Sequence, residues 1–148
     1  VSAVTNMVDM FSYAYAFDQD IGGWNVSRVA LMTNMFFDAT SFNQPLNTWD
    51  TSKVTTLRFT FYDSSAFNQN LDTWNTSQVT DMYGVYFNTA LSNCNKAAIH
   101  AAWSTNVDWM NGFGKFSWGD ISVCPPPPPS SPSPPPPETP RAGDRRLS

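Results

Sequence analysis

Hydrophobic and polar positions recur along residues 4 to 91 at a fixed interval of 25 residues. When the chain is aligned on itself at that shift, no insertion or deletion interrupts the columns. The apolar columns are Val4, Val29, Val54 and Val79; Met7, Met32, Leu57 and Met82; Phe11, Phe36, Phe61 and Tyr86; Phe17, Phe42 and Phe67; and Trp24, Trp49 and Trp74. A strict period of this kind predicts a stack of about 3.5 to 4 coils that share one core.

The spacing within one copy predicts a helix and a strand. Apolar residues at positions i, i+3, i+6, i+7 and i+10 form one face of a helix about three turns long; in the second copy they are Val29, Met32, Met35, Phe36 and Ala39. Residues 42–49 are short, Asn-rich and bounded by turn residues, as expected of a brief strand. The sequence therefore predicts an α/β solenoid with one short strand and one short helix in each coil.

The rest of the chain divides into two further segments. Residues 92–124 lack the period, and we predict that Asn93 or Asn95 caps a helix running through Trp103 in a helical, aromatic-rich C-terminal cap. Residues 125–148 hold 11 of the 12 prolines, which predicts a disordered polyproline linker or tail. A spacer role is favoured for this tail over a role as a ligand of SH3-type domains. The predicted domains are residues 1–91, 92–124 and 125–148.

Charge and cysteine content narrow the function classes. Residues 1–124 contain ten Asp and no Glu against five Lys and Arg, a net charge of −5 that disfavours binding to nucleic acid or anionic membranes. No apolar run of about 18 residues occurs, so no membrane span is predicted. A disulfide between Cys94 and Cys124 is favoured over two free thiols and fits an oxidising compartment. Because the chain begins inside the repeat pattern and without Met, we expect a segment of a longer protein.

The repeated motif resembles a known family. Residues 42–55, FNQPLNTWDTSKVT, and residues 67–80, FNQNLDTWNTSQVT, closely resemble the repeat of the BspA-like leucine-rich-repeat surface proteins. The match covers residues 4–91, and the cysteine directly before polyproline looks like that of algal or other eukaryotic members. The resemblance implies a leucine-rich-repeat-like, right-handed solenoid. It also implies an extracellular, cell-surface or cell-wall protein used in adhesion or recognition, with no established catalytic activity.

Catalysis has few candidate residues. His100 is the sole histidine and lies beside no recognisable nucleophile motif. Asp38 and Asp63 would lie one coil apart, about 5 Å, near the separation of a retaining glycoside hydrolase. The same column holds Tyr13 and Asn88, so a structural turn is favoured over a hydrolase pair or a Ca²⁺ bridge. We predict no enzyme activity, no cofactor and no metal, with a glycoside hydrolase or a purely structural cell-wall spacer as alternatives.

Two groups of surface residues are candidate sites. Asn25 and Asn75 begin N-glycosylation sequons, although Asp50 in the same column indicates that Asx-turn chemistry alone satisfies the position. Aromatic residues outside the core columns are predicted ligand contacts, unless they simply pack between helices; they are Tyr13, Tyr15, Phe37, Tyr62 and Phe87. The sequence thus predicts an adhesion or recognition module that binds a protein or glycan through a repeat surface.

Overall fold

The computed structural model describes residues 3–111 and Cys124, and its repeats stack in register. Parallel bridges pair Asn6 with Leu31, Leu31 with Thr56, and Thr56 with Asp81, so each joins positions 25 residues apart. The columns of the sequence are therefore columns in space. Two helices follow the repeats in the described part of the chain: α1, Asn93–Trp103, and α2, Val107–Met110.

The predicted helix over residues 29–39 is wrong, because the backbone forms consecutive β-turns. Alternate N–H groups donate to carbonyls three residues earlier: Met35 to Met32 (3.2 Å), Phe37 to Asn34 (3.1 Å) and Ala39 to Phe36 (3.1 Å). The N–H groups between them donate to the next repeat: Asn34 to Arg58 (3.0 Å), Phe36 to Thr60 (2.8 Å) and Asp38 to Tyr62 (2.7 Å). Half of the bonds that an α-helix would make internally therefore join neighbouring repeats instead.

Left-handed residues in two columns explain these turns. Asn34 and Asp38 both have φ of 54°, whereas helical residues have φ near −63°, so each interrupts the helix. The two columns are Asp9, Asn34, Phe59 and Gly84, and Tyr13, Asp38, Asp63 and Asn88, with φ between 53° and 64° throughout. Asn, Asp and Gly adopt this conformation at the lowest steric cost, which accounts for most of both columns.

The predicted strand over residues 42–49 is also wrong, and no sheet occurs among the described residues. Side chains bridge the repeats here, since the N–H of Asn43 donates to Asp18 Oδ1 (2.8 Å) and the N–H of Asn68 to Asn43 Oδ1 (2.9 Å). Gln69 Nε2 adds a bond to the Asn43 carbonyl oxygen (2.8 Å). The α/β, leucine-rich-repeat-like, right-handed solenoid of strands and helices is therefore corrected to repeats built from turns and joined by single bridges and a polar side-chain ladder.

The apolar columns face the interior as predicted. The side chains that suggested a helix, Val29, Met32, Met35, Phe36 and Ala39, are all fully buried. A stack of rings, here called the inner ladder, runs through the core with centroid distances of 5.4 Å for Phe11–Phe36, 5.3 Å for Phe36–Phe61 and 5.7 Å for Phe61–Tyr86. Each fully buried ring contributes about 2 to 3 kcal/mol of burial free energy, so the ladder is a main source of stability.

The tryptophan column combines packing with hydrogen bonding. The rings of Trp49 and Trp74 are stacked at 6.1 Å. The indole N–H of Trp49 donates to the carbonyl of Ile21 (3.1 Å), and that of Trp74 donates to the carbonyl of Leu46 (2.9 Å). Since a buried indole N–H without a partner is costly, these bonds fix the column to the preceding repeat.

The two ends of the stack differ in what covers the core. At the C-terminal end, Trp103 of α1 stacks on Tyr86 at 5.7 Å, and burial raises the pKa of the Tyr86 hydroxyl. Asn106 Nδ2 donates to the carbonyls of Thr76 (2.8 Å) and Val79 (2.9 Å), which ties the cap to the last repeat. The first repeat is more open, because four of its apolar residues are only partly buried; they are Val4, Phe11, Phe17 and Trp24.

The cap is joined covalently to the position that precedes the proline-rich tail. Helix α1 begins after Ser92, whose Oγ accepts the N–H of Asn95 (3.2 Å), so Ser92 caps the helix instead of Asn93 or Asn95. A disulfide links Cys94 to Cys124, with Cα atoms 4.8 Å apart. Residues 112–123 of the predicted cap and the predicted polyproline tail at 125–148 lie outside the described residues.

Candidate ligand-binding surface

A second stack of aromatic rings runs along the outside of the repeats. Each ring belongs to the residue after a member of the inner ladder. The rings of Phe37 and Tyr62 lie 5.1 Å apart at an interplanar angle of 2°, and those of Tyr62 and Phe87 lie 4.6 Å apart at 16°. We call Phe37, Tyr62 and Phe87 the outer ladder.

Two further aromatic residues extend the outer ladder through edge-to-face contacts: Phe59 meets the ladder, and Tyr83 meets Phe59. Phe59 lies 5.2 Å from Tyr62 at 84° and 5.3 Å from Tyr83 at 78°. Together with Tyr62, Gly84 and Phe87 they line a groove of about 240 Å³, which is called the groove below. Sequence reasoning did not identify Phe59 and Tyr83 as ligand contacts. Their signal was local: two aromatic residues stand where other copies place small or polar residues.

Gly84 shapes the floor of this groove. Its φ is +64°, and a Cβ at this position would lie 2.7 Å from Phe59 Cδ1, a distance that van der Waals contact forbids. Glycine thus serves two needs here, a left-handed backbone and room for the Phe59 ring. Phe59 itself occupies a left-handed position, with φ of 53°, that favours Asn or Gly.

The groove carries charge along one side. The Arg58 guanidinium lies over the rings of Phe59 (4.7 Å) and Tyr83 (5.0 Å), at cation–π distance. Its Nη1 lies 3.4 Å from Asp81 Oδ2, and both side chains are well exposed. An exposed pair of this kind adds little stability, so its main effect is to hold Arg58 against the aromatic rings.

The aromatic residues continue towards the first repeat. Tyr13 meets Phe37 edge to face at 5.4 Å and lies 6.3 Å from Tyr15. Tyr13 and Tyr15 are 57% and 55% exposed, the largest values among the aromatic side chains of the described residues. All five predicted contact residues are therefore joined in one continuous row of rings. With Phe59 and Tyr83 added, we call this row the aromatic face.

The acidic pair proposed for hydrolysis occupies a structural column. Asp38 and Asp63 both have left-handed backbones, and Asp63 Oδ1 accepts the side-chain N–H of Asn88 at 2.9 Å. Among the described residues, no group of three or more His, Cys, Asp or Glu could hold a metal ion. His100 Nδ1 accepts the indole N–H of Trp109 (3.1 Å), a contact within the cap. These residues all have roles in the fold.

The two sequon asparagines lie on an exposed column away from the core. Asn25 Oδ1 accepts the N–H of Ser27 (3.1 Å) and its hydroxyl (2.7 Å), and Asn75 Oδ1 accepts the N–H of Ser77 (2.9 Å). Neither Nδ2 donates a hydrogen bond within the part of the chain that the structure describes. A glycan on Nδ2 would therefore leave both Asx turns intact, and glycosylation of Asn25 and Asn75 stays a prediction.

Within residues 3–111, no helix is both long and apolar enough to cross a membrane.

Comparison with known proteins supplies the family. A search of curated proteins found no match to the chain, and a search of solved structures found none either. Residues 1–102 match the family described as Mycoplasma protein of unknown function, DUF285, which agrees coarsely with the BspA-like repeat predicted from the motif. Because this match spans more than half of the sequence, the chain belongs to the DUF285 family.

Proposed function

We propose that this chain is an adhesion or recognition module that binds a protein or glycan through its aromatic face. The observation that carries the proposal is the unbroken row of aromatic rings outside the core, in which Tyr13, Tyr15, Tyr83 and Phe87 are exposed and the others are partly buried. Tyr, Phe and Arg are frequent energetic anchors of binding surfaces, and exposed aromatic rings on a stable scaffold cost little entropy to immobilise. The repeat core meanwhile provides the rigid support that such a surface needs.

The proposal places the module outside the cell, at the surface or in the wall. The Cys94–Cys124 disulfide supports an oxidising compartment, and the resemblance to BspA-like surface proteins points the same way. The cysteine next to the proline-rich segment supports a member of algal or other eukaryotic type. Labelling of intact cells with an impermeant reagent tests the location; protein that is labelled only after lysis would contradict it.

A binding screen tests the function. The full chain is applied to arrays of glycans and matrix proteins, alongside Tyr62→Ala, Phe87→Ala and Met110→Ala. Met110 is an exposed apolar residue of α2, outside the aromatic face, and serves as the matched control. We expect the two aromatic variants to weaken binding of the retained ligand by about tenfold or more, while the control binds normally. Equal binding by all variants would contradict the proposal.

The proposal includes no catalytic step. The double substitution of Asp38→Asn and Asp63→Asn keeps residues that tolerate the left-handed backbone, so it should leave folding and ligand binding unchanged. A glycosidase activity that is measurable in the original chain and lost in this variant would instead identify the acidic pair as catalytic.

A further inference from the structure

The groove has the chemistry of a site for a proline-rich segment. Its walls are Tyr83 and Phe87, each 40% exposed, and its floor is formed by Phe59 and Gly84. Within the outer ladder the ring faces cover one another, which leaves little flat surface for a sugar ring. Narrow grooves between aromatic rings are the usual docking sites of extended proline-rich peptides, whose low entropy reduces the cost of binding.

The chain itself carries such a segment. Residues 125–137 read PPPPPSSPSPPPP and follow directly on Cys124. The start of the segment is fixed, because Cys124 is joined to Cys94 with a Cα–Cα distance of 4.8 Å. The sequence therefore supplies a ligand of the right chemistry at a known point of attachment.

The reach of the segment is sufficient whatever path it takes from that point. Cys94 lies seven positions after Phe87, and seven residue steps span at most about 25 Å. The distance from Cys124 to the groove is therefore no more than about 30 Å once the disulfide span is added. Thirteen residues in polyproline II conformation extend about 40 Å.

Tethering favours the segment of the same molecule, and the charged residues that follow the uncharged segment 125–137 add a weak attraction. Residues 125–148 carry a net charge of +1, from Arg141, Arg145 and Arg146 against Glu138 and Asp144, whereas residues 1–124 carry −5. The two parts therefore attract each other weakly. A short tether gives an effective concentration of about millimolar, so an affinity in that range is enough for substantial occupancy.

We propose that residues 125–137 dock into the groove of their own chain, as an internal ligand that an external partner must displace. This inference rests on the proposed function of the aromatic face as a binding surface. It implies that the free module is partly closed to ligands and opens when a partner competes for the same rings.

The test compares amide resonances in two full-length chains. In the second chain, the ten prolines within 125–137 are replaced by Ser, which keeps length and charge. We expect the amides of Gly84 and Phe87 to differ between the chains, while those of Gly22 and Gly23, outside the groove, do not. A peptide of residues 125–137 added to the Ser chain should return the Gly84 resonance towards its original position, with half of the effect at about 1 mM.

Two variants and a dilution series make the result decisive. Phe87→Ala should abolish the difference at Gly84, whereas Tyr15→Ala, on the same face but outside the groove, should preserve it. Identical Gly84 and Phe87 resonances in the two chains would overturn the proposal, as would a difference that Phe87→Ala leaves unchanged. A difference that disappears on dilution would also overturn it and would assign the groove to the tail of a second copy.

The ligand screen separates this inference from the proposed function. If the tail does not dock but the Ser chain retains a ligand on the arrays, only the internal ligand is wrong. If the tail docks but neither chain retains any ligand, only the external recognition function is wrong. If the inference is right, the Ser chain should bind its ligand about twofold or more tightly than the original chain, because no internal segment competes.

Discussion

The two aromatic ladders are built from neighbouring residues and differ mainly in burial. Phe36 belongs to the inner ladder and Phe37 to the outer one, and the same alternation recurs at the next two repeats, with Phe61 and Tyr62 and with Tyr86 and Phe87. Stacking within the ladders is similar, with Phe36–Phe61 at 5.3 Å and Phe37–Tyr62 at 5.1 Å. The exposure of the rings differs, since Phe36 is fully buried and Phe87 is 40% exposed.

This difference in burial assigns different roles to the two ladders: the inner ladder stabilises the fold, and the outer ladder is available to contact a ligand. Both ladders follow from the backbone register, because the bridges align positions 25 residues apart and so bring equivalent rings of successive repeats together. Phe36 and Phe61 of the inner ladder lose all contact with water, so they contribute the full free energy of burial. An outer pair adds about 0.5 to 1.5 kcal/mol from ring contact, which leaves its exposed edges free to contact a ligand.

The largest predicted loss of stability comes from truncating a ring of the inner ladder, and the matching ring of the outer ladder serves as the comparison. Phe36→Ala should lower the free energy of unfolding by about 3 to 5 kcal/mol, because it opens a cavity in the core. Phe37→Ala removes a partly buried ring outside the core and should cost about 1 kcal/mol. Urea unfolding followed by tryptophan fluorescence measures both. Similar losses in the two variants would show that the ladders are not distinct in their energetics.

A second prediction concerns the close contact between Gly84 and the Phe59 ring. Gly84→Ala forces a Cβ against the Phe59 ring and places a side chain at φ of +64°. We expect a loss of about 2 kcal/mol, part from the left-handed backbone and part from the clash.

A double-mutant cycle resolves those two parts of the Gly84 effect. With Phe59→Ala already present, the ring that clashes most closely is gone, and what remains is the backbone cost and a tight approach to Tyr62 Cδ2 (3.2 Å). The Gly84→Ala substitution should then cost about 1 kcal/mol less than it does alone. An unchanged cost would mean that the contact with Phe59 is irrelevant and that backbone strain explains the whole effect.

The buried face of each repeat could be predicted from the sequence, but its backbone could not. The spacing of Val29, Met32 and Met35 marks the side chains that face the core, and any backbone that returns them to one side every three to four residues produces that pattern. The helix and the β-turn chain both do so. Asn34 and Asp38 carried the information that separates them, because Asn and Asp in register at two columns favour left-handed turns over a helix.

The candidate site was predicted only in part, for a related reason. Tyr13, Tyr15, Phe37, Tyr62 and Phe87 stood out because they are aromatic and lie outside the core columns, and the structure joins them in one row. Phe59 and Tyr83 are also aromatic and lie outside the core columns, so the same criterion could have identified them. The groove depends on Phe59, Tyr83 and Gly84. Each of them departs from the residue types found at its position in other copies, and such departures make the surface of one copy different from that of the others.

The contrast between inner and outer positions extends to the polar columns. Asn43 is partly buried, and its Oδ1 accepts the N–H of Asn68 (2.9 Å) and Nε2 of Gln69 (2.9 Å). Asn43→Ala leaves the Asn68 N–H without a partner and should cost about 1 to 2 kcal/mol. Asn43→Asp keeps the acceptor, as Asp18 does in the first repeat, and should cost less. Thermal unfolding ranks the variants, and an equal loss in both would remove the ladder as the cause.

Asp50 is an exposed polar residue, in contrast to the partly buried Asn43. Its substitution should change the free energy of unfolding least. The carboxylate is exposed, and Ser52, through its side chain and its backbone N–H, holds the pKa of Asp50 below the ordinary value of 3.8. A group with a lowered pKa in the folded state stabilises the fold above its unfolded pKa and loses that contribution as the pH falls through the folded pKa. The contribution of Asp50 is therefore complete near neutral pH and disappears below about pH 4.

Asp50→Asn tests this dependence with a residue that the column already accepts at Asn25 and Asn75. The amide oxygen can accept the Ser52 N–H as the carboxylate does (3.0 Å), so stability near pH 7 should hardly change. Between about pH 4 and pH 2, the variant should lose less stability than the original chain, because it has no carboxylate to protonate. Urea unfolding across that range measures the difference. Parallel curves would mean that the charge of Asp50 has no part in the turn and that the column needs only an acceptor.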